Sequence, residues 1–313
     1  MTRFHKSALA LTMADRAPVL ARSALWFWVN STQWFKQGRA TSAHWLVMEL
    51  ARRLQGRIPV HTRLGNGMKI KVHLNDHVGG VIIRTGYYEI DTVRLIQRLL
   101  KPGMVFFDVG THVGQYTLLA SESVGGAGEV HSFEPDPVTY RWFASNVKRN
   151  GLTNVRANQL ALAGQPGTLT LFLSEDYDIG SNSLRRPSSF SGRMCEVEAV
   201  TLDSYIESRR VSRVDVMKID VEGAECEVLK GASALLGRED RPVMILEFEE
   251  ARQLAFQSSC AELAALLVAK GYELFRYESS GLESYVPRLP DKPSFNILAI
   301  PTNRREILAE LRG

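Results

Sequence analysis

Three stretches of this chain place acids where short apolar runs end. Residues 106–120, FFDVGTHVGQYTLLA, put Asp108 at the tip of such a run and Gly110 and Gly114 in the turn that opens a helix. Glycine lets backbone approach a ligand closely, and a helix N-terminus offers free N–H donors and a positive dipole to an anionic group. The spacing is DxGxxxG rather than GxGxxG. It lacks the third glycine that suits a pyrophosphate and favours a smaller, carboxylate-bearing ligand over a dinucleotide. The second stretch, EVHSFEPDP (129–137), ends in Glu134, where a carboxylate accepts both hydroxyls of a ribose. Asp136 and Pro137 then suit the cap and first turn of a helix, a structural role. The third, VMKIDVEGAECEVLKGA (216–232), gathers Lys218, Asp220 and Glu222 at another strand tip. Such a group binds a cationic ligand or takes a proton, with Lys218 paired to its acids and Glu225 serving only the helix N-terminus.

The elements that must hold these residues alternate along the chain. Strands are expected at Val105–Val109, Glu129–Glu134, Val155–Leu160, Val214–Ile219 and Val243–Phe248, each with a helical pattern after it or shortly beyond. That alternation argues for a parallel sheet covered by helices on both faces, with ligands at the carboxyl ends of the strands. A helix over Asp91–Leu100 is stopped by Pro102-Gly103, and 273–277 with 295–300 form a terminal antiparallel addition. Upstream, VHTRLGNGMKIKVHL (60–74) reads as a hairpin around Asn66-Gly67, whose two-residue turn needs positive φ at both residues. Between Gly164 and Val200 lies an insertion with a further hairpin and the polar loop 179–193. In that loop Ser181, Asn182, Ser183, Arg185 and Arg186 suit recognition of a polyol or an anionic glycan, unless the loop is only a solvated linker.

Composition bounds the rest. With 313 residues, 45% of them hydrophobic and 23% charged, the chain is long enough for one or two domains with a sizeable core, and disorder as its main state is excluded. Cys195, Cys226 and Cys260 fit neither a paired framework nor a metal spacing, and no metal site is expected. They read as reduced thiols of a cytoplasmic protein. The net charge of +4 is uneven: residues 1–57 carry nine Lys/Arg against Asp15 and Glu49, so the remainder is slightly acidic and nucleic acid is not an expected partner. That segment also holds Trp26, Trp28, Trp34 and Trp45 at helical spacing. It is expected to be a helical extension packed on a domain at 58–313, or else a peripheral membrane contact.

Taken together, Asp108-Val109-Gly110, Gly114, Phe133-Glu134-Pro135 and above all the KIDVEGAE string (218–225) resemble the FkbM family of S-adenosylmethionine-dependent methyltransferases over about residues 60–300. The similarity includes GYYE (86–89), NVKRNGLTNV (146–155) and TLDSY (201–205). It implies the class I methyltransferase fold, Rossmann-like, with a mostly parallel seven-stranded sheet and an antiparallel terminal strand. It also implies S-adenosylmethionine as cofactor. Gly110 and its neighbours would then meet the methionyl part, Asp108 its ammonium directly or through water, Glu134 the ribose, and Leu160 and Ala161 the adenine. Asp220 would line the methyl-donor side. Where the family commonly has Ala-Asn, this chain has Thr111-His112. His112 would hydrogen-bond the methionyl carboxylate, and a histidine's ordinary titration near about pH 6.5 would make binding pH-sensitive.

The resemblance implies a sugar or polyketide hydroxyl as acceptor, which requires a carboxylate to take its proton. Asp220 and Glu222 lead that role, with Glu89 and His112 behind them. Two other classes remain open at this point. A nicotinamide-dependent sugar enzyme should show GxGxxG and a Tyr-xxx-Lys pair, and neither is in the sequence. A non-catalytic membrane-associated adaptor would work through residues 1–57.

Overall fold

The computed structural model describes residues 59–74, 76–174, 182–186, 190, 192–278, 281–286 and 294–312. The extension at 1–57 and Ser181 lie outside the described residues.

The chain enters through a hairpin of β1 (Pro59–Arg63) and β2 (Lys69–His73). Its turn differs from the expected two-residue form. Only Gly67 has positive φ, and its N–H donates to the Leu64 carbonyl at 2.8 Å, so a wider turn with one left-handed residue joins the strands. Helices α1 (His77–Thr85) and α2 (Ile90–Leu99) follow. Asp76 caps α1 by accepting from the Gly79 N–H.

The main sheet is built from β3 (Val105–Val109), β4 (Glu129–Phe133), β5 (Val155–Asn158), β9 (Val216–Ile219) and β10 (Val243–Phe248), with α3 (Gln115–Val124), α4 (Pro137–Arg149), α5 (Leu202–Arg209) and α6 (Glu225–Lys230) among the crossovers. β11 (Tyr272–Glu278), β12 (Gly281–Ser284) and β13 (Phe295–Pro301) complete it in the order β12-β11-β13-β10-β9-β3-β4-β5. The five strands from β10 to β5 are parallel, and β13, β11 and β12 add antiparallel. The expected seven-stranded class I arrangement is present, enlarged to eight because the chain after β11 folds back as β12.

Strand alternation splits the core in two. Phe106, Val130, Val216 and Ile245 pack under α2 and α3, whereas Phe107, Met217, Met244 and Leu246 pack on the opposite layer with Leu202, Val228 and Leu263. Central strands buried on both faces explain the continuous apolar runs in the sequence. Lys218 and Asp108 share the α3 face and are 1% and 0% exposed, so each must be matched within the fold. β5 is shorter than expected. Ala161–Leu162 leaves it as β6 and joins β7 (Gly167–Phe172) and β8 (Met194–Val200) in a separate three-stranded sheet formed by the insertion. The described cysteines are free, and among the described residues no helix is long and apolar enough to cross a membrane.

Candidate active site

A crevice of about 300 Å³ opens at the carboxyl edge of the parallel strands, within the size range of small-molecule sites. It runs from the β3–α3 turn (Gly110 to Val113), past Glu134, to the acids following β9 and β10. Two parallel strands that diverge to opposite faces leave this gap, which is why the sequence motifs converge here.

Gly110 sets the turn. Its φ is +81°, and an added Cβ would stand 1.8 Å from the Asp220 carbonyl oxygen, so only glycine lets β3 and the β9 tip approach. Asp108 lies behind this turn, fully buried and outside the crevice lining. Its Oδ2 accepts from the hydroxyls of Thr111 (2.7 Å) and Thr117 (2.6 Å). Burial, partly offset by Lys218, raises its pKa. Asp108 thus braces the turn from beneath through Oδ2, while its Oδ1 is buried without a hydrogen-bond partner. Gly114, at φ +93°, is the N-cap of α3 and packs against Phe143 rather than lining the crevice.

Glu134 lines the crevice and is 8% exposed. Its oxygens accept from the backbone N–H groups of His112 and Asp136, each at 2.9 Å. Burial first, with the nearby Asp136 charge contributing, pushes its pKa up to about 8. Asp136 caps α4 through Val138 and Thr139, as expected. His112 takes a left-handed φ of +53°, a region that asparagine and histidine tolerate better than most residues. Both its ring nitrogens are buried without a hydrogen-bond partner at the crevice wall.

At the other end, Lys218 Nζ lies 2.7 Å from Asp220 Oδ2 and 4.6 Å from the centre of the Tyr116 ring. Burial opposes ionisation of Asp220, but Lys218, helped by Glu247 and Arg252, holds the carboxyl below the usual range. Glu247, near the tip of β10, stands beside Asp220 across the parallel β9–β10 register and accepts from the Ser294 hydroxyl at 3.0 Å. Burial and the neighbouring Asp220 charge push it up to about 10. Glu247 is a further acid of the site, one residue before the end of β10.

The remaining expected residues separate. Glu222, at φ +59°, lines the crevice but forms an ion pair with Arg252. Glu89 lies outside this crevice, in a neighbouring cleft, where its carboxylate accepts from the Tyr116 hydroxyl (2.7 Å) and the Asn296 amide (2.9 Å). Its carboxylate ties the GYYE segment to Tyr116, whose ring lines the crevice. Glu225 is buried, accepts from the N–H groups of Val221 (2.9 Å) and Gly223 (3.4 Å), and hydrogen-bonds Gln253. It shapes the turn, as its structural reading required. Asn182 reaches the crevice and hydrogen-bonds Asp136, whereas Ser183 pairs with the edge of β7 at Phe172 and Arg185 lies over the Phe256 ring. Neither Ser183 nor Arg185 is among the described lining residues.

The crevice has the chemistry of an adenosyl donor site. Phe133, Leu160, Ala161, Leu162 and Leu171 form an apolar wall. Glu134 retains lone pairs toward the crevice after its two backbone bonds, and the His112 ring, without a hydrogen bond and with Nε2 4.0 Å from Asp76 Oδ2, can supply a donor for a carboxylate. Among the described residues no group of His, Cys, Asp and Glu is arranged to hold a metal.

Residues 108–274 match the methyltransferase FkbM domain. The chain is 30% identical to the hexuronic acid methyltransferase AglP of Haloferax volcanii, over 47% of this chain and 58% of that protein. It therefore spans little more than half of that relative's length. It is also 30% identical to the 31-O-demethyl-FK506 methyltransferase FkbM of Streptomyces tacrolimicus, over 54% of this chain and 74% of that protein. Among solved structures, Methyltransferase FkbM from Methylobacillus flagellatus superposes with a TM-score of 0.42 at 13% identity, covering 86% of this chain and 57% of that one.

Proposed function

The chain belongs to the FkbM methyltransferase family, and from that premise we propose that it transfers the methyl group of S-adenosylmethionine to a hydroxyl oxygen of a saccharide or other polyhydroxylated metabolite. The observation that carries this reading is the convergence, in one crevice, of the Gly110 turn, Glu134 and the Asp220–Glu247 pair. The family membership replaces the nicotinamide alternative.

Glu134 would accept the ribose hydroxyls, the Gly110–Gly114 turn and His112 would hold the methionyl carboxylate, and Ala161 with Leu160 would face the adenine. When bound, S-adenosylmethionine supplies a methyl group on a sulfonium, already a good leaving group. The chain's own task is alignment and proton acceptance. Asp220 lines the crevice with a carboxylate that Lys218 keeps ionised, so it is placed to take the hydroxyl proton. Glu222, neutralised by Arg252, suits an acceptor-side wall better than a base. Asn182 would meet the acceptor, and Ser183 and Arg185 would shape that rim from outside.

Isothermal titration with S-adenosylmethionine, and with NAD in parallel, tests the donor site. Binding of S-adenosylmethionine alone is expected, weakened by Glu134→Ala. Labelled-methyl transfer to a panel of neutral sugars, uronates and amines tests the acceptor class, and transfer only to amine nitrogen would overturn the hydroxyl reading.

A further inference from the structure

The crevice contains two carboxyls where the proposed reaction needs one base. In the parallel register Ile219 stands opposite Leu246, so the next residues, Asp220 and Glu247, leave adjacent strand tips on the same face. Neighbouring strands lie about 4.8 Å apart, so two carboxyls on one face of adjacent strand tips in the same crevice are within electrostatic reach of each other. Lys218 lies 2.7 Å from Asp220 and fixes the charge there, leaving a proton on Glu247, whose Oε1 accepts from Ser294. Two like charges this close resist joint ionisation in a buried site.

We propose that Asp220 and Glu247 act as one unit: the pair holds a single proton in the free protein and releases it when the cationic donor enters, becoming doubly ionised to receive the acceptor's proton. This rests on the reading of the crevice as the donor site and of the acceptor as a hydroxyl. In the transfer step the acceptor oxygen forms the new O–C bond, the S–C electron pair stays with the departing sulfur, and the O–H proton passes to the pair. The pair is then back in its one-proton state, so no further acid or base is required.

The groups facing Glu247 support this assignment. Asp220 and Lys218 come from β9, Glu225 from α6 and Ser294 from the start of β13, while Glu222, Glu249 and Arg252 line the crevice nearby. Lys218 and Arg252 are already engaged with Asp220 and Glu222, so no uncommitted cation among these groups stabilises a second negative charge. A positive charge brought within about 4–6 Å lowers a carboxyl pKa by about 1 to 3, enough to bring Glu247 from about 10 into the range from about 7 to 9.

The test compares S-adenosylmethionine with S-adenosylhomocysteine, which differ in the methyl and its sulfonium charge. Both carry the ribose that meets Glu134, so that titration cancels. Protons released on binding are read by isothermal titration in two buffers of different ionisation enthalpy, across pH 7 to 9. The wild type is expected to release more protons with S-adenosylmethionine, by about 0.2 to 0.9 proton near pH 8.5. Glu247→Gln should lose that excess, and using it as the baseline removes the contribution of the ligands' own amines. No difference between wild type and variant, or an equal excess in both, would overturn the proposal. Either result would stand whether or not hydroxyl acceptors are found. Failure of the wild type to bind either ligand would remove the donor site and the proposal with it. Should Glu247→Gln not fold, infrared difference spectra of the wild type serve instead: the protonated-carboxyl band should fall with S-adenosylmethionine and persist with S-adenosylhomocysteine. A band that persists with both would overturn it.

Discussion

Asp220 and Glu247 sit side by side at the tips of two parallel strands, and among the described residues only Asp220 of the two forms an ion pair. Lys218, 1% exposed, is 2.7 Å from Asp220, so the side chain that ionises Asp220 is itself buried and depends on that partner. The site's electrostatics and the stability of the sheet are therefore linked through one ion pair.

Asp220→Asn should expose that link. Removing one member of a buried pair leaves an uncompensated charge, which typically costs about 3–5 kcal/mol. Glu222→Gln breaks only the partly exposed pair with Arg252, whose side chains are 18% and 29% accessible, and should cost about 0–1 kcal/mol. Urea unfolding of the two variants checks the order. Equal losses would mean that Glu89 and Asp108 hold the Lys218 charge as well as Asp220 does.

Above about pH 8, where its carboxylate is ionised, Glu134→Gln should weaken S-adenosylmethionine binding by about 10–100-fold, the loss expected when a charged acceptor of two hydroxyls becomes neutral. An amide also presents a donor toward the backbone N–H of His112 or Asp136, so the turn itself should loosen. Isothermal titration measures the change, and an unaltered affinity would remove the ribose role from Glu134.

Much of this site was legible in the sequence because its parts are local. Asp136 before Pro137 announces a capped helix, and Asp108-x-Gly110 announces a strand-to-helix turn, from neighbours a few residues apart. What was missed depends on distant partners. Glu247 lies inside an apolar run, and only the register against β9 shows that it meets Asp220. The pairing of Glu222 with Arg252, and the burial of Asp108 under Thr111 and Thr117, follow from packing that no short window contains. Glu89 stands in the sequence as one more carboxylate behind Asp220 and Glu222. Its bonds to Tyr116 and Asn296 turn it away from the crevice.

The two turn glycines should differ in what alanine does to them. At Gly110 the new Cβ would stand 1.8 Å from backbone oxygen of Asp220, which cannot yield without parting β3 from β9. At Gly114 it would meet the edge of the Phe143 ring at 2.6 Å, a side chain with some freedom to shift. Both carry the cost of a left-handed alanine, about 1–2 kcal/mol, and Gly110→Ala adds an overpacking cost of about 1–3 kcal/mol. Thermal unfolding should therefore rank Gly110→Ala below Gly114→Ala, with donor binding lost in the former.

The stability of the free protein should fall as pH rises from about 5 to about 8.5. Burial raises Glu225 to about 7, Glu134 to about 8 and Glu247 to about 10, all above a glutamate's ordinary value of about 4.5. Between those limits the folded protein keeps protons that the unfolded chain has already lost. Stability changes with pH as the unfolded minus the folded proton count, which is negative here, so each such group removes up to about 1.4 kcal/mol per pH unit. Asp220, held low by Lys218 against its burial, acts the other way: its contribution is present above the ordinary aspartate value and is lost only as pH drops below it. The expected maximum thus lies on the mildly acidic side, near about pH 5, despite a pI near 9.0. Chemical denaturation at half-unit steps of pH measures the slope. Glu225→Gln, which keeps one carbonyl for the Val221 and Gly223 amides, should flatten the portion above about pH 5, whereas a rising slope through neutral pH would mean that these three carboxyls are ionised in the fold.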